Sequence, residues 1–344
     1  MNFSLDSKVG DDAAKIVVLT PVKNESWILN QFLTVTSLFA DCIIIADQQS
    51  TDDSVAICNK FEKVVVVSNP NEKYDEADRQ LLLINKARTL FTGQKILLFT
   101  LDADEIISYQ ALQCNNIWNA IRLSKPGTSF SFEKPDVLPG STKCIRWENN
   151  YFPLAYVDDG SVHSPQKIHS RRIPASKFGE DVKIDEIKVL HFGFARPNVQ
   201  SAKMRYYSML ENINNTSPFY RRRRIYHSYF DPYTFYSTAN IQIIPEIWLK
   251  DWGKRSVDLF NLVDPVYSWH DQKSLQLFKK YGSSRFYLDD IWDFEWKACL
   301  EHFKKVKFQD LPEKIDVPPF YMKYCGILIN GLTNVISKIR RINK

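Results

Sequence analysis

Four largely apolar runs dominate the first hundred residues: KIVVLTPV at Lys15–Val22, CIIIA at 42–46, VVVV at 64–67 and KILLFTL at 95–101. Runs this short and this β-branched predict strands, and their lack of polar alternation predicts burial on both faces. Helical spacing fills the gaps. Ile28, Phe32, Val35 and Phe39 mark one face over 24–39, a shorter helix follows at about 53–61, and a third is predicted over 76–90. Strands alternating with helices, without hairpin turns between them, imply βαβ units around a parallel sheet.

The pattern loosens beyond residue 110. Pro126-Gly127, Pro139-Gly140 and Asp159-Gly160 are turn signals between short strand-like pieces at 129–132 and 188–192. A helix is predicted over 199–212, and 240–308 carries further helical stretches rich in Trp. The expected organisation is a flexible N-terminus at 1–14, an α/β domain at 15–205 with halves 15–107 and 108–205, an aromatic-rich helical extension at 206–316, and a basic tail at 317–344. With 44% hydrophobic and 25% charged residues, the chain has globular values that exclude disorder.

No apolar run approaches the ~20 residues needed to cross a bilayer, and the N-terminus lacks the apolar core of a signal peptide. The six cysteines form no Cys-x-x-Cys pair. Widely spaced thiols of that kind read as reduced, which gives a cytoplasmic location as the expectation. The net charge of +5 comes from the end of the chain. From Val317 onward stand Lys323, Lys338, Arg340, Arg341 and Lys344 with no acid among them.

The sharpest chemical feature is Asp102-Ala103-Asp104-Glu105, following the strand at 95–101. If that strand continues, positions i and i+2 share a side, and both aspartates converge beyond the carboxyl end of the sheet, where open α/β sheets bind ligands. Two hard carboxylates with open positions suit Mg²⁺ or Mn²⁺ shared with a diphosphate. Acids after a strand also simply cap the next helix, and a bare Asp-x-Asp recurs by chance.

Two further segments accompany it. Thr20-Pro21-Val22-Lys23-Asn24-Glu25 closes the first strand, Asp47-Gln48-Gln49-Ser50-Thr51-Asp52 closes the second, and Arg79 stands on the helix before the Asp-x-Asp strand. This series resembles the family 2 glycosyltransferases with the GT-A fold, strongly over about 15–107 and weakly to 205. The resemblance implies a Rossmann-type mixed, mainly parallel sheet flanked by helices. It also implies roles. Pro21, Lys23 and Glu25 would line the nucleoside pocket, Asp47 would bond the base, and Arg79 would approach base or phosphates. Asp102 would face the ribose, Asp104 would ligate the metal, and His191 would complete the metal shell or touch phosphate. Arg196 and Lys203 would neutralise phosphate oxygens, unless they form a solvated basic face.

An inverting member needs a carboxylate base to take the acceptor proton. Relatives present it as V-H-E or within an E-D pair. Here Val162-His163-Ser164 has serine in the acid's place, while Gly179-Glu180-Asp181 matches the second form. The following VKIDEIK reads as a strand, where the family has a helix. Asp181 is therefore the nominated base, with Glu180, Asp158 and Asp159 behind it.

In FYRRRRIYHSYFDPYTFYS at 219–237, arginines interleave with aromatics. The first reading is an amphipathic segment with aromatics inward and arginines outward. Acceptor binding comes second, and RNA a distant third. Cys325, Leu328, Ile329, Leu332, Val335, Ile336, Ile339 and Ile342 recur at three- and four-residue steps between basic residues. Such a helix either lies on an anionic membrane face or packs on the enzyme body; Gly326 and Gly331 weaken it.

The expected protein is thus a metal-dependent glycosyltransferase with Mn²⁺ or Mg²⁺ as cofactor. It would move a monosaccharide from a nucleotide-sugar donor, UDP favoured, to a saccharide or lipid-linked saccharide acceptor in surface glycan synthesis. No nucleic-acid partner is expected. A nucleotidyltransferase would need a Gly-rich phosphate loop after the first strand, and TPVKNESW has no glycine. A catalytically degenerate relative that only binds glycan or partners is the non-enzymatic alternative.

Overall fold

The computed structural model describes residues 12–322 apart from 72–74, 148, 166–170, 216, 227–239 and 256, together with Cys325 and Leu328. The expected N-terminal stretch to residue 11, the arginine–aromatic segment from 227 onward and most of the basic tail lie outside the described residues. By internal contacts the chain divides into two units, one joining Met1–Ala195 to Tyr236–Val263 and the other joining Arg196–Phe235 to Asp264–Lys344. The boundary expected at 205 differs on two counts. The helix predicted at 199–212 belongs wholly to the second unit, and residues 236–263 return to the first.

The first unit opens with β1 (Lys15–Val22), α1 (Ser26–Thr36), β2 (Cys42–Asp47), α2 (Ser54–Cys58), β3 (Val64–Ser68), α3 (Glu76–Leu90) and β4 (Ile96–Thr100). The four strands lie parallel in the order β3-β2-β1-β4. Successive side chains of a strand face opposite ways, so each strand feeds two cores. Ile16, Val18, Ile43, Ile45 and Phe99 pack with Phe32 of α1. On the other face Val17, Leu19, Ile44 and Leu98 meet Leu83, Ile84 and Ala87 of α3. Each such buried side chain contributes roughly 1.5–3 kcal/mol, which explains why these strands can be uniformly apolar. The α3 helix starts where Asp75 caps it, accepting from the amides of Ala77 and Asp78 at 3.0 and 3.1 Å.

The sheet then changes character. It adds β5 (Glu105–Ile107), α4 (Asn115–Leu123), β6 (Ser129–Glu133), β7 (Asp136–Val137), β8 (Lys143–Ile145), β9 (Tyr151–Val157), β10 (Val182–His191) and, from the returning segment, β11 (Ile241–Ile243) with α7 (Glu246–Leu249). The order continues β4-β9-β6-β10-β7-β8-β11, with β5 on β10. The β9 strand runs antiparallel to both β4 and β6 and so reverses direction in mid-sheet. Sequence reading passes over β9 because it contains Pro153, which cannot donate to a ladder. The structure accommodates the proline at an irregularity: Phe130 pairs with Ala155 and Ser131 with Pro153, leaving Leu154 as the extra residue. Strand β10 begins at Val182, so the segment after Asp181 is a strand, as its sequence indicates.

The second unit contains α5 (Pro197–Asn214), α6 (Phe219–Ile225), α8 (Trp269–Tyr281) and α9 (Trp296–Lys305). Its core gathers Met209, Leu275, Phe278, Phe286, Trp296 and Cys299. A buried ion pair crosses it: Arg205 meets Asp271 at 2.7 Å, and the guanidinium carbon lies 3.6 Å from the Phe294 ring centroid. Asp271 also closes the capping box of α8 with Ser268. In the arginine run the expected arrangement is corrected. Arg222 and Arg223 are buried, Arg222 pairing with Asp289 at 2.7 Å, while Tyr220 is exposed. An arginine can be the inward residue when a buried carboxylate awaits it.

Candidate functional site

Strand ends bring the candidate residues to one edge of the first unit. Beyond β1 and β2 the chain forms two interlocked loops. Asn24 and Gln49 take the left-handed conformation at φ 56° and 54°. The Asn24 amide donates to Ser50 Oγ at 2.9 Å, and Asn24 Oδ1 accepts from the Thr51 amide at 2.7 Å. Asp52 accepts from the amides of Ser26 and Ser54, both at 3.0 Å, so it serves the starts of α1 and α2 together. Burial raises the Asp52 pKa, but those donors outweigh it and hold the carboxyl below the usual range. Lys23 donates to the carbonyls of Gln48 and Gln49, Glu25 accepts from the Trp27 indole at 2.7 Å, and Asp47 accepts from the Ser50 amide at 3.2 Å.

A cleft of about 390 Å³ opens at the carboxyl ends of β1 and β4. Pro21, Arg79 and Asp102 line it, together with Gln80, Lys134, Phe152, Arg171 and Arg172. Lys23, Glu25 and Asp47 are not among its lining residues. Pro21 fits its place for a backbone reason. Leu19 O accepts from Leu101 N and Val22 O from Gln48 N. Pro21 therefore turns the side lacking an N–H toward β4, past the last rung at Leu19–Thr100.

The Asp-x-Asp segment lies on the turn after β4 rather than on the strand, so the two aspartates diverge in their partners. Asp102 accepts from Arg172 Nη2 at 2.6 Å. Arg172 also donates to Glu105 at 2.6 and 3.1 Å, and Lys134 reaches Glu105 at 2.9 Å. Glu105 is fully buried. Burial favours its neutral form, but Arg172 and Lys134 override that and hold its pKa well below the usual carboxylate range. Asp104 points elsewhere, its Oδ2 lying 3.7 Å from His191 Nε2.

Register accounts for the position of His191. On β10 it pairs with Glu105 of β5 on one side and Asp136 of β7 on the other. Its Nδ1 bonds Asp136 at 2.6 Å, leaving Nε2 toward Asp104. Burial and Lys134 lower its pKa, yet Asp104 and Asp136 prevail and raise it. Gly193 leaves room for the ring, since a Cβ there would stand 2.7 Å from His191 Nε2 and 3.3 Å from Asp104 Oδ2. Among the described residues, no three His, Cys, Asp or Glu side chains gather as a metal site.

Of the nominated bases, Asp181, Asp158 and Asp159 each have a cationic partner. Arg171 grips Asp181 with both terminal nitrogens at 3.0 and 2.6 Å, and Ser129 and Ser131 donate to it as well. Burial raises the Asp181 pKa, but these donors bring it below the usual range. A carboxylate so engaged is a strut for β6 and the Arg171 segment, not a free proton acceptor. Asp159 bonds Lys177, the Tyr156 hydroxyl and the Ser161 amide, and Asp158 takes a two-nitrogen grip from Arg88. Glu180 is exposed. His163 is buried against Gln80 at 2.9 Å, with Ser164 exposed beside it. Arg196 and Lys203 belong to the second unit.

Lys134, Asp136, Arg171 and Arg172 escape sequence reading. They stand in segments without periodicity, and only Glu105, beside the aspartates, gives a local signal for its neighbours.

No protein-family model matches the chain, and no curated protein sequence matches it. Among solved structures, it is similar to glucosyl-3-phosphoglycerate synthase from Mycobacterium tuberculosis, in complex with Mn²⁺, UDP and glucosyl-3-phosphoglycerate. The identity is 19% over 36% of this chain and 44% of that one, with a TM-score of 0.26. Mannosyl-3-phosphoglycerate synthase from Rubrobacter xylanophilus is 15% identical over 37% and 42%, at 0.25. The 4-diphosphocytidyl-2C-methyl-D-erythritol synthase is 12% identical over 42% and 74%, at 0.29. The chain therefore spans under half the length of the two phosphoglycerate synthases, and overlaps of this size assign no activity.

Proposed function

We propose that this protein is a metal-dependent glycosyltransferase. It would pass a monosaccharide from a nucleotide diphosphate sugar, UDP favoured, to a hydroxyl of a saccharide or lipid-linked saccharide. One observation carries the reading: a cleft lined by Pro21, Arg79 and Asp102 lies at the carboxyl ends of β1 and β4, and Asp104, two residues after Asp102 in the chain, faces His191. That is where parallel α/β sheets bind nucleotides.

The residues fit a divalent ion. One carboxylate oxygen and one imidazole nitrogen face each other, and Asp136 holds the outer ring nitrogen as a supporting partner does in metal sites. Asp104 and His191 would hold Mn²⁺ or Mg²⁺, with diphosphate oxygens and water as the remaining ligands. When bound, the ion neutralises charge developing on the leaving diphosphate. The chain's own part is positioning. Arg79 and Arg171 line the cleft, Asp102 would meet a ribose hydroxyl, and Arg172 with Lys134 fixes the turn that carries Asp102.

A second reading, a binding module without turnover, draws on Asp181 and Asp159 being held by cations and on Ser164 in the acid's place. Thermal stabilisation by UDP, GDP, CMP and dTDP, each with and without Mn²⁺, tests both readings on wild type and Asp104→Ala. A metal-dependent shift absent from the mutant supports the transferase. A shift without turnover of any sugar nucleotide supports the binding module, and no shift with any nucleotide overturns the donor site.

A further inference from the structure

Glu133, Arg146, Asn149, Tyr151 and Gln242 line a further cavity of about 340 Å³, and all five belong to the first unit. None of them lines the cleft at the ends of β1 and β4. Glu133 and Tyr151 are register partners on β6 and β9, and their chain neighbours Lys134 and Phe152 line that cleft instead. Successive residues thus serve two different cavities.

The charged members of this cavity are fixed. Glu133 is buried and accepts from two nitrogens of Arg146, Nη2 at 2.9 Å, and from Lys188 at 2.7 Å. Burial favours its neutral form, but Arg146 and Lys188 hold its pKa below the usual range. The Arg146 guanidinium carbon lies 5.9 Å from the centroid of the Trp248 ring. The Tyr151 hydroxyl donates to Asp185, which leaves its oxygen as an acceptor. Asn149, left-handed at φ 57°, and Gln242 of β11 bring side-chain amides that have no hydrogen-bond partner among the described residues.

We infer that this cavity binds a neutral saccharide. Among its five lining residues the one anion and the one cation already pair, so an anionic ligand would meet Glu133 and a cationic one Arg146. An apolar ligand would cut the polar lining off from water and return no hydrogen bonds. A sugar hydroxyl both donates and accepts, so neighbouring hydroxyls match an amide, a phenol oxygen or the free edge of the Glu133–Arg146 pair. The volume stands at the small end of ligand pockets, roughly 300–1,000 Å³, which suits a short saccharide. The inference is independent of the transferase reading, because this binding needs neither nucleotide nor metal.

Saturation-transfer NMR on the full chain would use maltose, cellobiose, lactose and trehalose at about 10 mM each, enough to occupy a millimolar site. At least one sugar is expected to receive saturation in the absence of nucleotide and metal. Asn149→Ala with Gln242→Ala should weaken its binding at least tenfold, at about fivefold per hydrogen bond. The melting temperature should stay near that of wild type, since both residues are exposed. Neither inorganic phosphate nor UDP with Mn²⁺ should displace the sugar. No saturation of any sugar, binding that survives the double substitution, or displacement by phosphate overturns the inference. Displacement by UDP with Mn²⁺ also overturns it, because the sugar would then occupy the cleft.

Discussion

Nη2 of Arg172 donates to Oδ2 of Asp102 at 2.6 Å, while Nη1 of the same guanidinium donates to Glu105 at 2.6 Å. One arginine thus fixes both the half-buried carboxylate of the turn after β4 and the buried one that opens β5. The cleft is therefore pre-shaped by an ion cluster whose cations come from segments distant in sequence.

Replacing Arg172 with Ala leaves Glu105 fully buried with Lys134 as its remaining cation. Breaking a buried pair from one side costs about 3–5 kcal/mol, and the retained lysine puts this case at the lower end. Urea denaturation should show a loss of about 3 kcal/mol. A loss below about 1 kcal/mol would mean that the cluster does not hold the turn.

Gly193→Ala should act on the metal pair without unfolding the sheet. The new Cβ would stand 2.7 Å from His191 Nε2 and 3.3 Å from Asp104 Oδ2, so the ring must leave its present place facing Asp104. We expect Mn²⁺-dependent stabilisation by the bound nucleotide to weaken at least tenfold in apparent affinity, with the melting temperature of the ligand-free protein within a few degrees of wild type. Unchanged metal dependence would place the ion elsewhere.

His270 sets a pH dependence in the second unit. Burial, helped by Lys203, Arg196 and Arg205, pushes its pKa well below the ordinary value of 6.5. The unfolded chain therefore binds a proton below pH 6.5 that the native state refuses, and stability is present above that pH and lost as pH falls through it. The contribution should fall by about 1.4 kcal/mol between pH 7.5 and 5.5. His163, also lowered by burial, acts in the same window in the first unit. Comparing wild type with His270→Gln isolates the first effect, and identical slopes would remove His270 from the account.

Arg205→Ala should destabilise the second unit by about 3–5 kcal/mol, since it strips Asp271 of its buried partner. Asp271→Asn should cost a similar amount, because it leaves the buried Arg205 without a counter-charge and offers one acceptor oxygen where Arg205 and the Ser268 amide use two. A double-mutant cycle in guanidinium would show coupling above about 1 kcal/mol. Additive effects would mean that the cation–π contact with Phe294, rather than the ion pair, carries Arg205.

Much of the first unit is legible because its strands are buried on both faces. Lys15–Val22 and Glu76–Leu90 fall where apolar runs and helical steps place them. Thirty-odd residues of continuous βαβ leave few alternatives for such runs. The antiparallel β9 is illegible because its proline is tolerated only at an irregularity that exists once β6 has paired with it. Asp104 and His191 are separately visible as chemistry, but their meeting depends on the β5–β10–β7 register. Asp181 shows the converse: the motif marks it as a free acid, and the fold engages it with Arg171, which no local pattern links to it.

The sheet unit is completed by a segment that returns after residues 196–235 have gone to the other unit. Strand β11 covers the outer edge of β8, and Trp248 and Trp252 enter the main core from the same return. On the ribosome, a nascent chain that has emerged only to residue 205 therefore holds β1 to β10, an uncovered edge at β8 and a core short of two tryptophans. An open edge is a template for mispairing, so the first unit matures only after part of the second has been made, and any shortened protein ending near 205 inherits the same exposed edge.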